Sequence, residues 1–125
     1  MVNASHFDQW KVLAIHGKID SFLFKKVVED FQTQLEDGAK WIAVEMSNAE
    51  FLSVAMIRYL SQLADRMRQR GGDVVIIGAQ DSLRKNIDTF AGRMRLKMYG
   101  DLLDLRYRVA PEGRAEYEPH PELKL

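Results

Sequence analysis

The run Asp73-Val74-Val75-Ile76-Ile77-Gly78 constrains this chain more than any other feature. An uninterrupted series of β-branched side chains has no polar face, so a strand built from it must be covered on both sides. Gly71-Gly72 stands before the run as a helix stop. Ala79-Gln80-Asp81-Ser82 follows it as a turn, with two candidate helix caps in Asp81 and Ser82. Trp41-Ile42-Ala43-Val44 is a shorter run of the same kind. Residues 10–15 (WKVLAI) form a third, with Val12 and Ala14 on one face and Leu13 and Ile15 on the other. Gly17 is expected to break that strand.

Between these runs the apolar period changes from two to three or four. Phe24, Val27, Val28, Phe31 and Leu35 form one stripe of a helix over residues 22–36, opened by Asp20 or Ser21 and closed by Gly38. Ile57, Leu60, Leu63, Ala64 and Met67 do the same for a helix from Ser53 to about residue 70. Leu83, Ile87 and Phe90 space a shorter helix that stops at Gly92. Residues 94–98 alternate like an edge strand, Leu102, Leu103 and Leu105 mark a last short helix, and residues 106–109 read as a final edge strand. Strands alternating with helices imply right-handed crossovers and a mostly parallel sheet. The expected fold is therefore α/β, with four to five strands and about four helices. In such sheets function sits after the carboxyl ends of strands, which here means residues 17–21, 47–56 and 79–82.

The chain has 125 residues, the size of one domain. Residues 1–109 carry the pattern. Residues 110–125 hold all three prolines and little apolar material, and read as a polar tail. With no cysteine there is no thiol nucleophile, disulfide framework or cysteine-type zinc site. No run approaches the roughly 20 apolar residues of a membrane span, and the start of the chain lacks a signal-peptide core. A cytoplasmic domain is the expectation. The 18 basic and 18 acidic side chains cancel, so nothing draws the chain as a whole to nucleic acid. Arg93, Arg95 and Lys97, near Arg84 and Lys85, make a local basic patch, but Asp81, Asp88 and Asp101 interrupt it. Charges guarding a sheet edge account for it as well, and no nucleic acid is expected.

No phosphate-binding glycine motif is present, and Gly71-Gly72 precedes its strand rather than following it. His6, His16 and His120 lack metal-ligand spacing. His16 with Asp20 is the one pair with acid–base geometry in sequence, and a strand-end structural histidine explains it more simply. No cofactor, metal or enzymatic activity is implied. The informative stretch runs from Phe51 to Leu60 (FLSVAMIRYL). Ser53 has the hydroxyl to cap the helix. Val54 and Met56 fall off the stripe defined above, so either one of them faces solvent or a partner, or both pack under the neighbouring loop. Tyr59 extends that surface. On the first alternative, Met56→Asp would weaken partner binding and leave the fold intact.

Residues 8–105 resemble the STAS domain, found in anti-sigma-factor antagonists and in the cytoplasmic tails of sulphate transporters. The resemblance is carried by Gly17-Lys18-Ile19-Asp20, by Trp41-Ile42-Ala43-Val44-Glu45-Met46 leading to Phe51-Leu52, and by the long helix before Gly71-Gly72-Asp73-Val74-Val75-Ile76-Ile77. Asp81-Ser82-Leu83-Arg84-Lys85 and Phe90-Ala91-Gly92 complete it. In family antagonists the loop reads Asp-Ser-Ser-Gly, and a partner anti-sigma kinase phosphorylates the second serine. Here the matching residues are Ser53-Val54-Ala55-Met56, and Ala55 has no hydroxyl. The resemblance therefore implies a non-enzymatic protein-interaction module without the usual phosphate switch. Its partner would be an anti-sigma kinase-like protein, a signalling scaffold or a transporter ATPase, met through Asp20, Ser53, Val54, Ala55, Met56 and Tyr59, with Gln80 and Ser82 on the adjacent loop. A lipid- or nucleotide-binding module, or an accessory subunit of a transporter, is the alternative. Self-association as a homodimer, through the same patch or the strand at residues 94–98, also stays open.

Overall fold

The computed structural model describes residues 2–92 and 96–109. Five strands and four helices follow one another as β1 (Val2–Phe7), β2 (Trp10–Ile19), α1 (Ser21–Gln34), β3 (Trp41–Leu52), α2 (Val54–Gln69), β4 (Asp73–Ile77), α3 (Asp81–Ala91), β5 (Lys97–Tyr99) and α4 (Leu102–Arg108). The strands lie in the order β1-β2-β3-β4-β5. β1 pairs antiparallel with β2, and every other neighbouring pair is parallel. This is the expected α/β fold with a mostly parallel sheet.

The sequential order decides where the helices go. Each crossover steps the same way along the sheet, so a constant right-handed sense puts α1, α2 and α3 on one face. That face holds the larger core. Leu13, Ile15, Ile42, Val44, Met46, Val74 and Ile76 of the sheet meet Val27 and Phe31 of α1, a broad stripe of α2, and Leu83 and Ile87 of α3. The side-chain period of two sends Trp10, Val12, Ala43, Val75 and Ile77 to the opposite face, where Leu105 of α4 covers them. Trp10 and Trp41 meet edge to face there, ring centres 5.2 Å apart. Cover on both faces is what the apolar runs required.

Polar ties fasten the ends of these elements. Lys11, buried under α1, donates to the Gln34 carbonyl and meets Asp37 at 2.5 Å, placing a cation where the helix leaves carbonyls unpaired. Asp73 is buried at the start of β4, with Arg68 of α2 at 2.8 Å and Lys97 of β5 at 3.3 Å. Arg106 of α4 grips Asp8 with two 3.0 Å bonds and lies 4.5 Å above the centre of the Phe7 ring. α4 is thereby tied to the turn between β1 and β2.

Four expectations need correction. β1 was not foreseen. Gly17 does not end β2: at φ +76° it sits among register shifts, so the strand bulges and continues to Ile19. β3 runs on past Val44 to Leu52. Residues 106–108 belong to α4, because Leu102, Leu105 and Val109 at helical spacing all pack on the second face and the Asp101 carboxylate caps the Asp104 N–H at 2.8 Å. Residues 93–95 and the expected tail, 110–125, lie outside the described residues, so the edge-strand reading is met only at β5.

Candidate functional site

Two helix starts lie side by side at the carboxyl end of the sheet. Ile19 ends β2 opposite Leu52, which ends β3. The Ser53 N–H donates to the Ile19 carbonyl at 2.8 Å, binding the two chain exits together. Asp20 then caps α1, its carboxylate accepting from the N–H groups of Phe22 at 3.1 Å and Leu23 at 3.0 Å. Ser53 caps α2 by accepting from the Met56 N–H at 3.2 Å, as its place in the sequence predicted. Asp20 is engaged in this cap, while His16 is exposed with its Nε2 3.3 Å from the Asn3 side-chain nitrogen. Nothing in that arrangement is an acid–base pair.

The first turn of α2 divides between surface and core. Val54 is half-buried and Ala55 is exposed. Met56 is fully buried, with 0% of its surface accessible, and belongs to the main core. The expectation that Met56 stands off the core stripe is thus wrong, and with it the reason for thinking Met56→Asp harmless to the fold. The physical reason is the width of the stripe: Met56, Leu60, Leu63 and Met67 form one helical row, and Ile57, Ser61 and Ala64 form the next, all buried. Tyr59 is half-buried beside Phe24 and Phe31, whose ring centres lie 6.4 and 6.1 Å away. Burial pushes its phenol above the usual range, opposed by nearby Arg66. Tyr59 thus serves mainly to join α2 to α1.

The structure separates Gln80 and Ser82 from this pair of helix starts. β4 stops at Ile77, opposite Glu45, while β3 continues through Met46 to Leu52. The start of α3 is therefore level with Glu45 and Ser47. Gly78 shows how close that approach is: at φ +76°, a Cβ placed there would come within 2.5 Å of Ser47 Oγ and 2.9 Å of Glu45 Oε2. Gln80 occupies the cap position of α3 without a side-chain cap bond, and Asp81 and Ser82, the caps expected from sequence, fall in the first turn instead. Both Gln80 and Ser82 are exposed, on a shoulder of their own.

Two side chains at the helix starts were missed. Phe22, in the first turn of α1, is 94% exposed, and Phe51, next to the end of β3, is 43% exposed. Two of the four large apolar side chains exposed among the described residues thus flank Asp20 and Ser53. Single exposed apolar residues are ordinary, but two bordering one pair of helix starts are a feature of that place. The signal was available, since Phe22 lies off the stripe that begins at Phe24. Lys18, Glu50 and Arg58 give this apolar centre an exposed rim of mixed charge. Aromatic side chains inside a polar rim are the composition of an interface.

The model of the STAS domain family matches residues 1–96. The chain belongs to the STAS domain family. Among solved structures, this STAS domain is similar to a candidate anti-sigma factor antagonist from Thermotoga maritima at 10% identity, covering 83% of this chain and 90% of that one, with a TM-score of 0.73. It is similar to the anti-sigma factor antagonist SpoIIAA in its unphosphorylated form at 12% identity, with 84% and 93% coverage and a TM-score of 0.63. A chain of the stressosome, described as a signal integration and transduction hub, matches at 15% identity, with 82% and 90% coverage and a TM-score of 0.60. No curated protein sequence matches significantly. These structural likenesses carry the fold. Among the described residues no helix is long and apolar enough to cross a membrane, and no three His, Asp or Glu side chains gather as metal ligands.

Proposed function

We propose that this STAS domain is a non-enzymatic interaction module that binds a protein partner through the paired starts of α1 and α2, without a phosphate switch at Ala55. The observation that carries this reading is the exposure of Ala55 in the first turn of α2, at the pair of helix starts that the exposed Phe22 and Phe51 flank. In family antagonists the matching residue is a serine, and phosphate there places about two negative charges in the contact. A methyl group cannot be charged, so this surface stays competent to bind. Asp20 and Ser53 hold the helix starts in place, while Val54, Ala55, Phe22 and Phe51 provide the contact. Met56 supports that turn from beneath, Tyr59 braces α2 against α1, and Gln80 and Ser82 offer a second, neighbouring contact. Similarity to anti-sigma factor antagonists and to a stressosome chain supports a cytoplasmic signalling partner, an anti-sigma kinase-like protein or a scaffold, with transcription as the regulated process.

Affinity capture with the parent chain, Ala55→Ser, Ala55→Glu and Phe51→Ala, read by quantitative mass spectrometry, tests the reading. The expected result is one protein retained by the parent and by Ala55→Ser, and reduced at least ten-fold by Ala55→Glu and by Phe51→Ala. Equal retention by all four chains would place the contact elsewhere.

A further inference from the structure

The two edges of the sheet are built differently. β5 is three residues long, and its exposed Lys97 is the kind of charge that discourages strand addition. β1 is six residues long, Val2–Phe7, and holds no Lys, Arg, Asp, Glu or Pro. The side chains of Asn3, Ala4, Ser5 and His6 are all exposed. A long, uncharged edge strand presents a row of main-chain donors and acceptors to whatever strand can match it.

The register identifies those groups. β1 and β2 are joined through Asp8 and Gln9, with Phe7 opposite Trp10, and Asp8 takes a φ of +52° as primed two-residue turns require. Such a turn closes on a hydrogen-bonded pair, and bonded pairs alternate along an antiparallel ladder. Phe7, Ser5 and Asn3 therefore bond to β2. The N–H and C=O groups of Val2, Ala4 and His6 point away from the sheet.

We propose that two copies of this chain pair through β1, antiparallel about Ala4, joining their five-stranded sheets into one. The strand fits itself. Antiparallel pairing centred on Ala4 sets Val2 opposite His6 of the second copy and Ala4 opposite its own counterpart. All the bonding residues are then those whose main-chain groups point outward. The arrangement is a closed two-fold, which leaves no further β1 edge to propagate a filament. The smallest side chain of the three lies on the axis, and no two fixed like charges meet. The chain's formal net charge of zero adds no long-range repulsion between copies. The pairing uses none of the residues assigned to the partner surface at the helix starts, so each can hold without the other. It also moves self-association to the β1 edge, away from both surfaces open to it in the sequence, the helix-start patch and the strand at residues 94–98.

The test uses the 125-residue chain, which contains no cysteine. Sedimentation velocity at tens of micromolar is expected to show a dimer. Ala4→Pro removes one outward N–H at an edge position where proline is tolerated, and is expected to give a monomer with an unchanged circular dichroism spectrum. Ala4→Cys is expected to form a linked dimer under mild oxidation. Bonded antiparallel pairs have Cα atoms about 5.5 Å apart, within disulfide reach. Ser5→Cys, displaced from the axis and pointing to the other face, is expected to stay unlinked. A monomeric parent chain overturns the proposal and leaves the edge to a strand from a different protein. Equal linking of the two cysteine variants overturns the register even if Ala4→Pro fails to fold.

Discussion

Ala55 and Met56 are neighbours in sequence with opposite environments, and the pair sets the sharpest test at the scale of single residues. Ala55 is exposed in the first turn of α2, where a negative charge meets unpaired N–H groups and the positive end of the helix. Ala55→Asp should therefore fold as well as the parent or gain about 0.3–1 kcal/mol at low salt. Met56→Asp puts a carboxylate into a fully buried position in the main apolar core. It should cost about 4 kcal/mol or more, or unfold the domain outright. Urea unfolding of the two variants beside the parent checks both. A stable, cooperatively folding Met56→Asp chain would show that the inner face of α2 has been drawn too wide. The cap of α3 gives a gain in the other direction: Gln80 makes no cap bond, so Gln80→Asp should raise stability by about 0.5–1 kcal/mol in the same measurement. Residue type pointed correctly to Ser53 and, with Ser21 as the alternative, to Asp20, but at α3 it named Asp81 and Ser82 where Gln80 holds the cap position. It misplaced Met56 because the stripe was marked from Ile57 onward, although its row of Met67, Leu63 and Leu60 extends one turn further back to Met56.

At the scale of elements, legibility followed burial. β4 shows in the sequence because it is buried on both faces, which forces an unbroken apolar run, and α1, α2 and α3 show because each buries one face, which forces a helical period. β1 buries little beyond part of Val2 and Phe7, so no alternation marks it. The far ends of β2 and β3 are polar and bulged, and their pairing rests on main-chain bonds that composition does not reveal. α4 was cut short because Tyr107 and Val109 alternate like a strand, although Leu102, Leu105 and Val109 also fit a helix. A seven-residue helix has little stability of its own. α4 should therefore depend on burial of Leu105 and on the grip of Arg106 on Asp8 and Phe7. Arg106→Gln is expected to raise amide exchange in α4 several-fold while leaving β3 and β4 unchanged, read by hydrogen–deuterium exchange. Unchanged exchange in α4 would leave the packing of Leu102, Leu105 and Val109 as its anchor.

For the whole molecule, stability should form a plateau with limbs of different physical origin. The Arg106 hydrogen bond lowers the Asp8 carboxyl, outweighing the opposing effect of burial. The Lys11 hydrogen bond, with the Ala39 N–H, lowers Asp37. For Asp104, burial acts upward but is outweighed by the Gly100 N–H and Arg108. A carboxyl lowered in the folded state gives stability that is full above the unfolded value, about 3.9, and is lost as pH falls through the folded value. These groups are partly exposed to solvent, so each gives little and salt weakens it. At the alkaline end, burial raises Tyr59 and Tyr99, the latter helped by Asp73 and Asp104. A phenol raised on folding gives stability that is full below the unfolded value, about 10, and is lost as pH rises through the folded value. Urea midpoints should therefore fall as pH drops below about 4 and as it climbs past about 10. Salt at 1 M, where the Debye length is about 3 Å, should flatten the acid limb. The alkaline limb should persist, because burial, its largest cause, is not screened. Tyr59→Phe with Tyr99→Phe should shrink the alkaline limb and leave the acid one. An acid limb as steep in high salt as in low would show that ion pairs do not hold the ends of these elements, and that acid stability rests on buried hydrogen bonds instead.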